Sequence, residues 1–390
     1  MLLGSNGKTS TTELIYNVLT QNGYSVGCNL EGSNQTEGVT TAILNSCNLK
    51  GEVQKDALVI ESDERYLRHT LKFFTPSHLV ITNLYRDQMT RNGNPEIIYN
   101  IIKEAYLEKI THLILNADDP LSGSFGFKHT NATYFGMNET NISKKENDSV
   151  YDDGIYCPIC HGKLEYSYHN YSHIGSFKCT KCEYKRANPQ FAVTDVDLKD
   201  GKVKINNKYE LQLSLRNVYT AYNVLAAFAV SSQIGIKEDD AIKSLSNYVM
   251  KNDRVQEFEI GEHKGMLLTS KHENSIAYNQ SISYVINENK PCTVVVIVDQ
   301  ISRKYFTSET SWLWDIDFEK LNSNCVEKVI LAGKYIHDLK SRFEYSDCDM
   351  SKVDCFENLD EMMNFVKENA KGYIYLITCF TDRYKFINRI

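Results

Sequence analysis

The stretch Gly4-Ser5-Asn6-Gly7-Lys8-Thr9 constrains this chain of 390 residues more than any other. It carries the working end of a phosphate-binding loop. Gly7 lets the backbone approach a phosphate closely. Lys8 reaches the β- and γ-phosphates, and the Thr9 hydroxyl ligates Mg²⁺. Leu14, Ile15, Val18 and Leu19 then recur at helical spacing, and Asn22-Gly23 stops the helix. A helix that begins at such a loop is an anion site in its own right. Gly4, Ser5, Asn6, Gly7, Lys8, Thr9 and Ser10 are therefore the candidate nucleotide-binding residues. One letter departs from the general pattern, which has a glycine five residues before Gly7. Leu2 stands there. The plainer reading of the same letters is a glycine-rich turn capping an amphipathic helix.

Three apolar runs follow, each ending in polar residues. "DALVIESDE" predicts a strand over residues 57–60 that ends at Glu61. Glu61 is a candidate Mg²⁺ ligand, direct or through water, or else part of a solvated acidic loop. "HLVITNLYRDQ" predicts a strand over 79–82 ending at Asn83, with Arg86 and Asp87 beyond. "HLILNADDP" predicts a third, ending at Asn116, Asp118 and Asp119. Polar residues delivered to one edge by successive strands define a doubly wound α/β sheet with its ligand at the strand ends. Later runs at 291–299, 326–333 and 373–378 are continuously apolar, as in parallel strands buried on both faces. "NLDEMMNFVKEN" is an amphipathic helix between two of them, and "VYTAYNVLAAFAVSSQIG" is a buried helix that closes the first half.

Cys157 and Cys160 are separated from Cys179 and Cys182 by 18 residues. The C-x₂-C-x₁₈-C-x₂-C spacing suits one four-thiolate structural zinc ion with no open position for water. The rival reading is two disulfides, which a reduced cytosol disfavours. His161, His169 and His173 read as surface residues of this small ribbon. A formal net charge of −7 excludes a nucleic-acid binder that works through bulk charge. No run of 18 apolar residues offers a membrane span, and no leader is evident at the N-terminus. The expected setting is the cytoplasm.

"GSNGKTSTTELI", "ESDE", "TNLYRDQMTRNG", "LNADDP" and "TYFGM" together resemble the Mur ligase superfamily, ATP-dependent enzymes that join carboxylates to amines. The "RDQ" run, the four cysteines and "TSWLWDIDFE" narrow the resemblance to MurT-like subunits of lipid II isoglutaminyl synthase, over essentially the whole chain. The resemblance implies a Mur-ligase-type P-loop ATPase domain at 1–253 with a zinc ribbon inserted at 150–192. A smaller Rossmann-like α/β domain follows at 254–390. The implied cofactors are ATP, Mg²⁺ and a structural Zn²⁺. The implied reaction is amidation of the D-glutamate α-carboxyl of lipid II through an acyl phosphate. Ammonia comes from a separate GatD-like glutaminase subunit, at the inner face of the membrane and without a membrane span.

The resemblance also carries over individual residues. Asn223 keeps an adenine-facing position, or is a helix-surface residue, while Thr220 replaces a usual asparagine. Arg254 matches an arginine of the link into the last domain, with Asp253 in place of a glycine. It touches nucleotide phosphates or forms a surface salt bridge. Asp315 and Glu309 are candidates for the acid lent to the glutaminase's Cys/His pair; the alternative is a packed turn. Asp299 keeps one further acid. Asn274-Ser275 replaces a usual Asn-Pro, and Tyr335 a usual arginine. Relatives carry a strand and a longer leader before the loop. The expectation is thus a gap at the sheet position beside the nucleotide, where only Met1-Leu2-Leu3 of the strand remain and buried neighbours lose a pairing partner, from a misassigned start or a truncated, divergent copy. Two other readings stand: a Mur-type ligase with an amino acid as nucleophile, and a non-catalytic scaffold subunit.

Overall fold

A computed structural model describes residues 1–30, 33–88, 92–105, 112–129, 131–248, 255–301 and 309–390. They divide into two compact units. The first comprises Met1–Arg86 and Asn94–Met250, the second Asp87–Gly93 and Lys251–Ile390. No sequence pattern announced that the "DQMTRNG" segment groups with the C-terminal half.

The first unit contains strands β1 (Leu2–Leu3), β2 (Val26–Cys28), β3 (Ala57–Val59), β4 (His78–Ile81), β5 (His112–Asn116) and β6 (Ala132–Met137). They are followed by β7 (Leu164–Tyr171), β8 (Ile174–Cys179), β9 (Phe191–Asp197), β10 (Lys202–Ile205) and β11 (Tyr209–Gln212). Its helices are α1 (Lys8–Gln21), α2 (Thr36–Leu44), α3 (Leu67–Thr70), α4 (Pro95–Lys103), α5 (Pro120–Ser124), α6 (Val218–Gln233) and α7 (Glu238–Ser246). The main sheet runs β1-β4-β5-β6-β9-β10-β11, parallel up to β9 and antiparallel beyond.

The expected gap beside the loop is not there: short as it is, β1 pairs on both sides. Leu2 and Leu3 lie opposite Val80 and Ile81 of β4, and Leu2 bridges Glu61 just past β3. Leu2 N–H donates to Ile60 O at 2.8 Å, and Ser62 N–H donates to Leu2 O at 3.0 Å. The β2–β3 pair is thereby joined to the main sheet at its ligand-bearing end.

Alternation sorts the strands onto two faces. Leu3, Leu79, Ile81, Leu113 and Leu115 form one core with Val39 of α2 and Ile98 and Ile102 of α4. α6 is mainly apolar and is buried from Val218 to Ser231 except at Asn223, as befits a helix packed on several sides. It packs against α1, α7 and the β5–β6–β9 part of the sheet.

The second unit contains β12 (Val255–Ile260), β13 (His263–Ser270), β14 (Cys292–Ile297), β15 (Val326–Ala332), β16 (Val353–Phe356) and β17 (Tyr373–Cys379). Its helices are α8 (Ser275–Glu288), α9 (Ile336–Glu344), α10 (Leu359–Asn369) and α11 (Phe380–Ile387). The sheet order is β12-β13-β17-β14-β15-β16, with only β12 antiparallel. Val294 and Val296 face a core with α8, α9 and Trp312. Val295 and Ile297 face another with α10 and α11. Burial on both faces is why these runs are continuously apolar.

Candidate functional site

The loop from Gly4 to Gly7 is held by the strand end beside it. Ser5 N–H donates to Asn83 O at 2.9 Å. The Ser5 hydroxyl donates to Tyr85 O at 2.7 Å and accepts from Tyr85 N–H at 3.0 Å. Asn83 clamps Asn6 from both ends of its amide, accepting from Asn6 N–H at 2.9 Å and donating to Asn6 O at 3.1 Å. Thr82 Oγ1 donates to Asn6 O at 2.8 Å. Gly4 has φ +139°, and a Cβ there would meet Thr82 Oγ1 at 2.0 Å. Gly4 is thus where the start of the loop passes close to β4's end, while Leu2, at the position of the general pattern's first glycine, serves the sheet.

Gly7 is the N-cap of α1 in the left-handed region, φ +80°. Gly7 has no side chain to cap this helix, and the first turn carries no acid. That leaves a helix N-terminus suited to an external anion. A Cβ on Gly7 would lie 2.1 Å from Asn223 Oδ1, so Asn223 of α6 stands against the loop and is not a free helix-surface residue. Lys8, Thr9 and Ser10 form the first turn of α1. Lys8 and Ser10 are buried and Thr9 is half-buried.

Glu61 is buried, not solvated. Its Oε1 accepts from Asn34 Nδ2 at 2.8 Å, and Asn29 clamps its backbone on both sides. Its Oε2 is buried with no hydrogen-bond partner among the described residues. A buried carboxylate oxygen left open in this way suits a cation. The lysine of the loop does not meet Glu61. Lys8 Nζ donates to Glu64 Oε1 at 2.9 Å and to Gly4 O, and Gly4 N–H donates to the same Glu64 oxygen at 2.7 Å. Glu64 is the last residue of "ESDE". Its only sequence signal is a second acid three residues after the first.

The four cysteine Sγ atoms lie within 4.8 Å of one another. Cys157 and Cys182 are 3.7 Å apart, and Cys160 and Cys179 3.5 Å. All four are free thiols, and these gaps far exceed the roughly 2.05 Å of a disulfide. They approach the roughly 3.8 Å edge of a tetrahedron with metal–sulfur bonds of about 2.3 Å. Amides of Ile159 and Lys181 donate to Cys157 and Cys179 Sγ, as in metal-binding knuckles.

The β7–β8 hairpin that joins the two cysteine pairs is tied to the end of the main sheet, where Gly175 N–H donates to Asp118 O at 2.9 Å. Arg186 Nε donates to Asp118 Oδ1 at 2.6 Å, Tyr222 OH to Asp118 Oδ2 at 2.5 Å, and Met137 N–H to that oxygen at 2.6 Å. This packing corrects the expectation for the histidines. His161 is exposed, but His169 and His173 are buried. His173 meets Tyr85 edge-on at 5.7 Å, with Nε2 4.0 Å from Asp119. Burial lowers the pKa of both His169 and His173, and pushes Asp119 up to about 7 against the amides of Leu84 and Leu121. Below the free-histidine value of 6.5 the unfolded chain takes up protons that the buried rings refuse. Folding should therefore lose about 1 kcal/mol per buried histidine per pH unit as the pH falls from 6.5 towards the folded value. Asp119, whose folded pKa is raised to about 7, acts with the opposite sign over the same range, so the histidine contribution is read by difference: between pH 7.5 and 5.5 the melting temperature of His173→Gln should rise relative to that of wild type. An equal slope in both proteins would exclude His173 as its source.

In the second unit, Ser311–Asp315 forms a 3₁₀ turn. Trp312 is buried 5.2 Å from Tyr278, while Trp314 stays exposed. Asn279 of α8 holds the turn, donating to Asp315 O at 3.4 Å and accepting from Asp317 N–H at 2.8 Å. Glu309 is exposed, and hydrogen bonds from the Ser311 hydroxyl and from Ser311 N–H, the latter at 2.7 Å, lower its pKa. Asp315 is half-buried at the other end of the turn. Asp299 is held by Lys385 and by Lys334 N–H. Arg254 lies outside the described residues.

A glycine-lysine loop before a helix, at the end of a mostly parallel sheet, defines a P-loop α/β protein. A family model described as the Mur ligase middle domain matches residues 3–231, more than half of the chain, so the chain belongs to the Mur ligase family. The model described as MurT ligase C-terminal matches residues 272–382. The lipid II isoglutaminyl synthase (glutamine-hydrolyzing) subunit MurT of Staphylococcus aureus (strain COL) is 29% identical over 382 residues, 97% of this chain and 84% of that protein. The subunit of the same name from Streptococcus pneumoniae (strain ATCC BAA-255 / R6) is 26% identical over 393 residues, 99% and 85%. Among solved structures, a pseudomurein peptide ligase type C from Methanothermus fervidus superposes with TM-score 0.74 at 21% identity, covering 100% of this chain and 76% of that one.

Proposed function

We propose that the chain is the ATP-dependent synthetase subunit of a lipid II isoglutaminyl synthase. The observation that carries this reading is the pairing of an intact phosphate loop with a MurT-type C-terminal half in one chain. The relatives' printed name supplies the substrate and the use of glutamine. ATP lies on the loop from Gly4 to Ser10, with its phosphates at the N-terminus of α1 and its base towards Asn223. Lys8 neutralises the transferred γ-phosphoryl group. Glu61 and Thr9 are the residues that would hold Mg²⁺, which would supply charge neutralisation at the phosphates. The acceptor carboxylate becomes an acyl phosphate, and ammonia displaces phosphate to leave the D-isoglutamine amide. The ammonia comes from a GatD-like glutaminase subunit. Cys157, Cys160, Cys179 and Cys182 hold a zinc ion with no open position, so its part is structural. The C-terminal unit is the Rossmann-like domain of this subunit. No described helix is long and apolar enough to cross a membrane, and work at the inner membrane face places the chain beside its lipid-linked substrate.

Co-expression with a GatD-like subunit, followed by measurement of glutamine-dependent ADP release and lipid II amidation, tests the reading. Turnover that needs an amino acid and no partner would replace it with an ordinary Mur-type ligase. Bound nucleotide without any turnover would replace it with a scaffold. Within the working complex, Glu309→Ala or Asp315→Ala should lower glutamine-dependent activity about 10²-fold while sparing activity with free ammonia. Equal loss of both activities would remove these acids from the glutaminase side.

A further inference from the structure

Glu64 draws together two groups that a nucleotide needs. Its Oε1 accepts both from the Gly4 amide at 2.7 Å and from Lys8 Nζ at 2.9 Å. The side chains of Lys8 and Glu64 are only 6% and 2% exposed. An ammonium this deeply buried needs a counter-anion. Glu64 supplies one from the 3₁₀ turn Glu64–Tyr66, which directly follows the Glu61 segment.

We infer that Glu64 is a positioning residue: it holds Lys8 folded back on the loop and releases it to the nucleotide's phosphates, and so sets nucleotide affinity. The inference rests on reading Gly4–Ser10 as the ATP site. The Gly4 bond fixes Glu64 in place, so Lys8 is the partner that moves. Its four-carbon stem and rotating ammonium suit the transfer. The carboxylate thus competes with the phosphates for one cation, and the competition weakens binding of ATP while keeping the empty loop ordered. A glutamine at this position keeps an oxygen for the Gly4 amide and removes the charge.

The test is calorimetric titration of the full-length chain with ATP and with ADP, alongside thermal melting. Glu64→Gln should tighten ATP binding about 5- to 10-fold, against no gain for Glu64→Asp, which keeps the charge. The nucleotide-free variant should melt lower than wild type, and ATP should raise its melting temperature by more. In a Lys8→Met background, Glu64→Gln should leave ATP affinity unchanged and raise the melting temperature, because no buried charge is then left alone. Unchanged or weaker binding by a folded Glu64→Gln protein would overturn the inference. If that single variant does not fold, the double variant decides: no gain in stability over Lys8→Met would overturn it as well. Failure of the wild-type chain to bind ATP would overturn the nucleotide-site reading itself, and the inference with it. Wild-type binding without the Glu64→Gln gain would overturn the inference alone.

Discussion

Lys8→Ala should cut ATP turnover by about three orders of magnitude in the assembled synthase. Phosphoryl transfer offers the protein little covalent work, so its contribution is position and charge. Lys8 is the first residue of α1, directly after the left-handed Gly7, and its amine already lies within the loop. The substitution has a second consequence. Among the described residues, Glu64 is then left buried with only the Gly4 amide for a hydrogen-bond partner. Removing one member of a buried pair costs about 3 kcal/mol or more. A lower melting temperature must therefore be separated from lost chemistry. Lys8→Ala combined with Glu64→Gln does this, since it removes the stranded charge along with the amine. That double variant should regain stability and remain inactive. Turnover at the wild-type rate in either protein would sink the reading of this loop as the ATP site.

How far the sequence could be read differs from residue to residue, for physical reasons. The loop was legible because its determinants are local. A glycine with positive φ, a lysine and a helix follow one another within a few residues, and nothing distant is needed to recognise them. The strands β4, β5, β14, β15 and β17 were legible because burial on both faces leaves only apolar letters. Partners set by the tertiary fold were not legible. "ESDE" offers two glutamates three apart, and nothing in the letters says which one meets Lys8. The fold gives Glu61 to Asn29 and Asn34, and Glu64 to Lys8. His173 sits in a polar, tyrosine-rich segment whose composition suggests a solvated insertion. Its burial comes from the packing of the β7–β8 hairpin onto the loop after β4, which sequence proximity does not reveal. Asn223 is more than 200 positions from Gly7, and only the packing of α6 on α1 brings it to the loop.

Metal withdrawal should produce the largest loss of stability. The knuckles around Cys157 and Cys179 have a small apolar centre, made by Cys157, Leu164, Phe177 and Tyr184 with Phe127, Tyr166 and the other cysteines beside it. A centre of that size cannot order two turns without help. Structural zinc contributes up to about 10–16 kcal/mol in isolated peptides of this kind. Here part of the hairpin is secured independently, since Tyr168 and Asn170 donate to Met137 O and Tyr184 to Pro120 O. The expected cost is therefore a fraction of that value, about 3–5 kcal/mol. For a unit of this size it corresponds to a fall in melting temperature of about 10 °C. The loss should not stay in the ribbon. Arg186 lies four residues past Cys182 and is bonded to Asp118, whose own amide donates to Asn116; Asn116 in turn donates to Thr82 O at 2.9 Å, and Thr82 contacts Asn6 of the loop. Chelation under reducing conditions should remove about one zinc per chain. It should lower the melting temperature and weaken ATP binding, and zinc readdition should restore both. Cys182→Ser should behave as the chelated protein does, without responding to added zinc. If demetallated chain, verified by elemental analysis, melts and binds ATP as before, the four sulfurs are not a structural metal site and the hairpin stands on its packing alone.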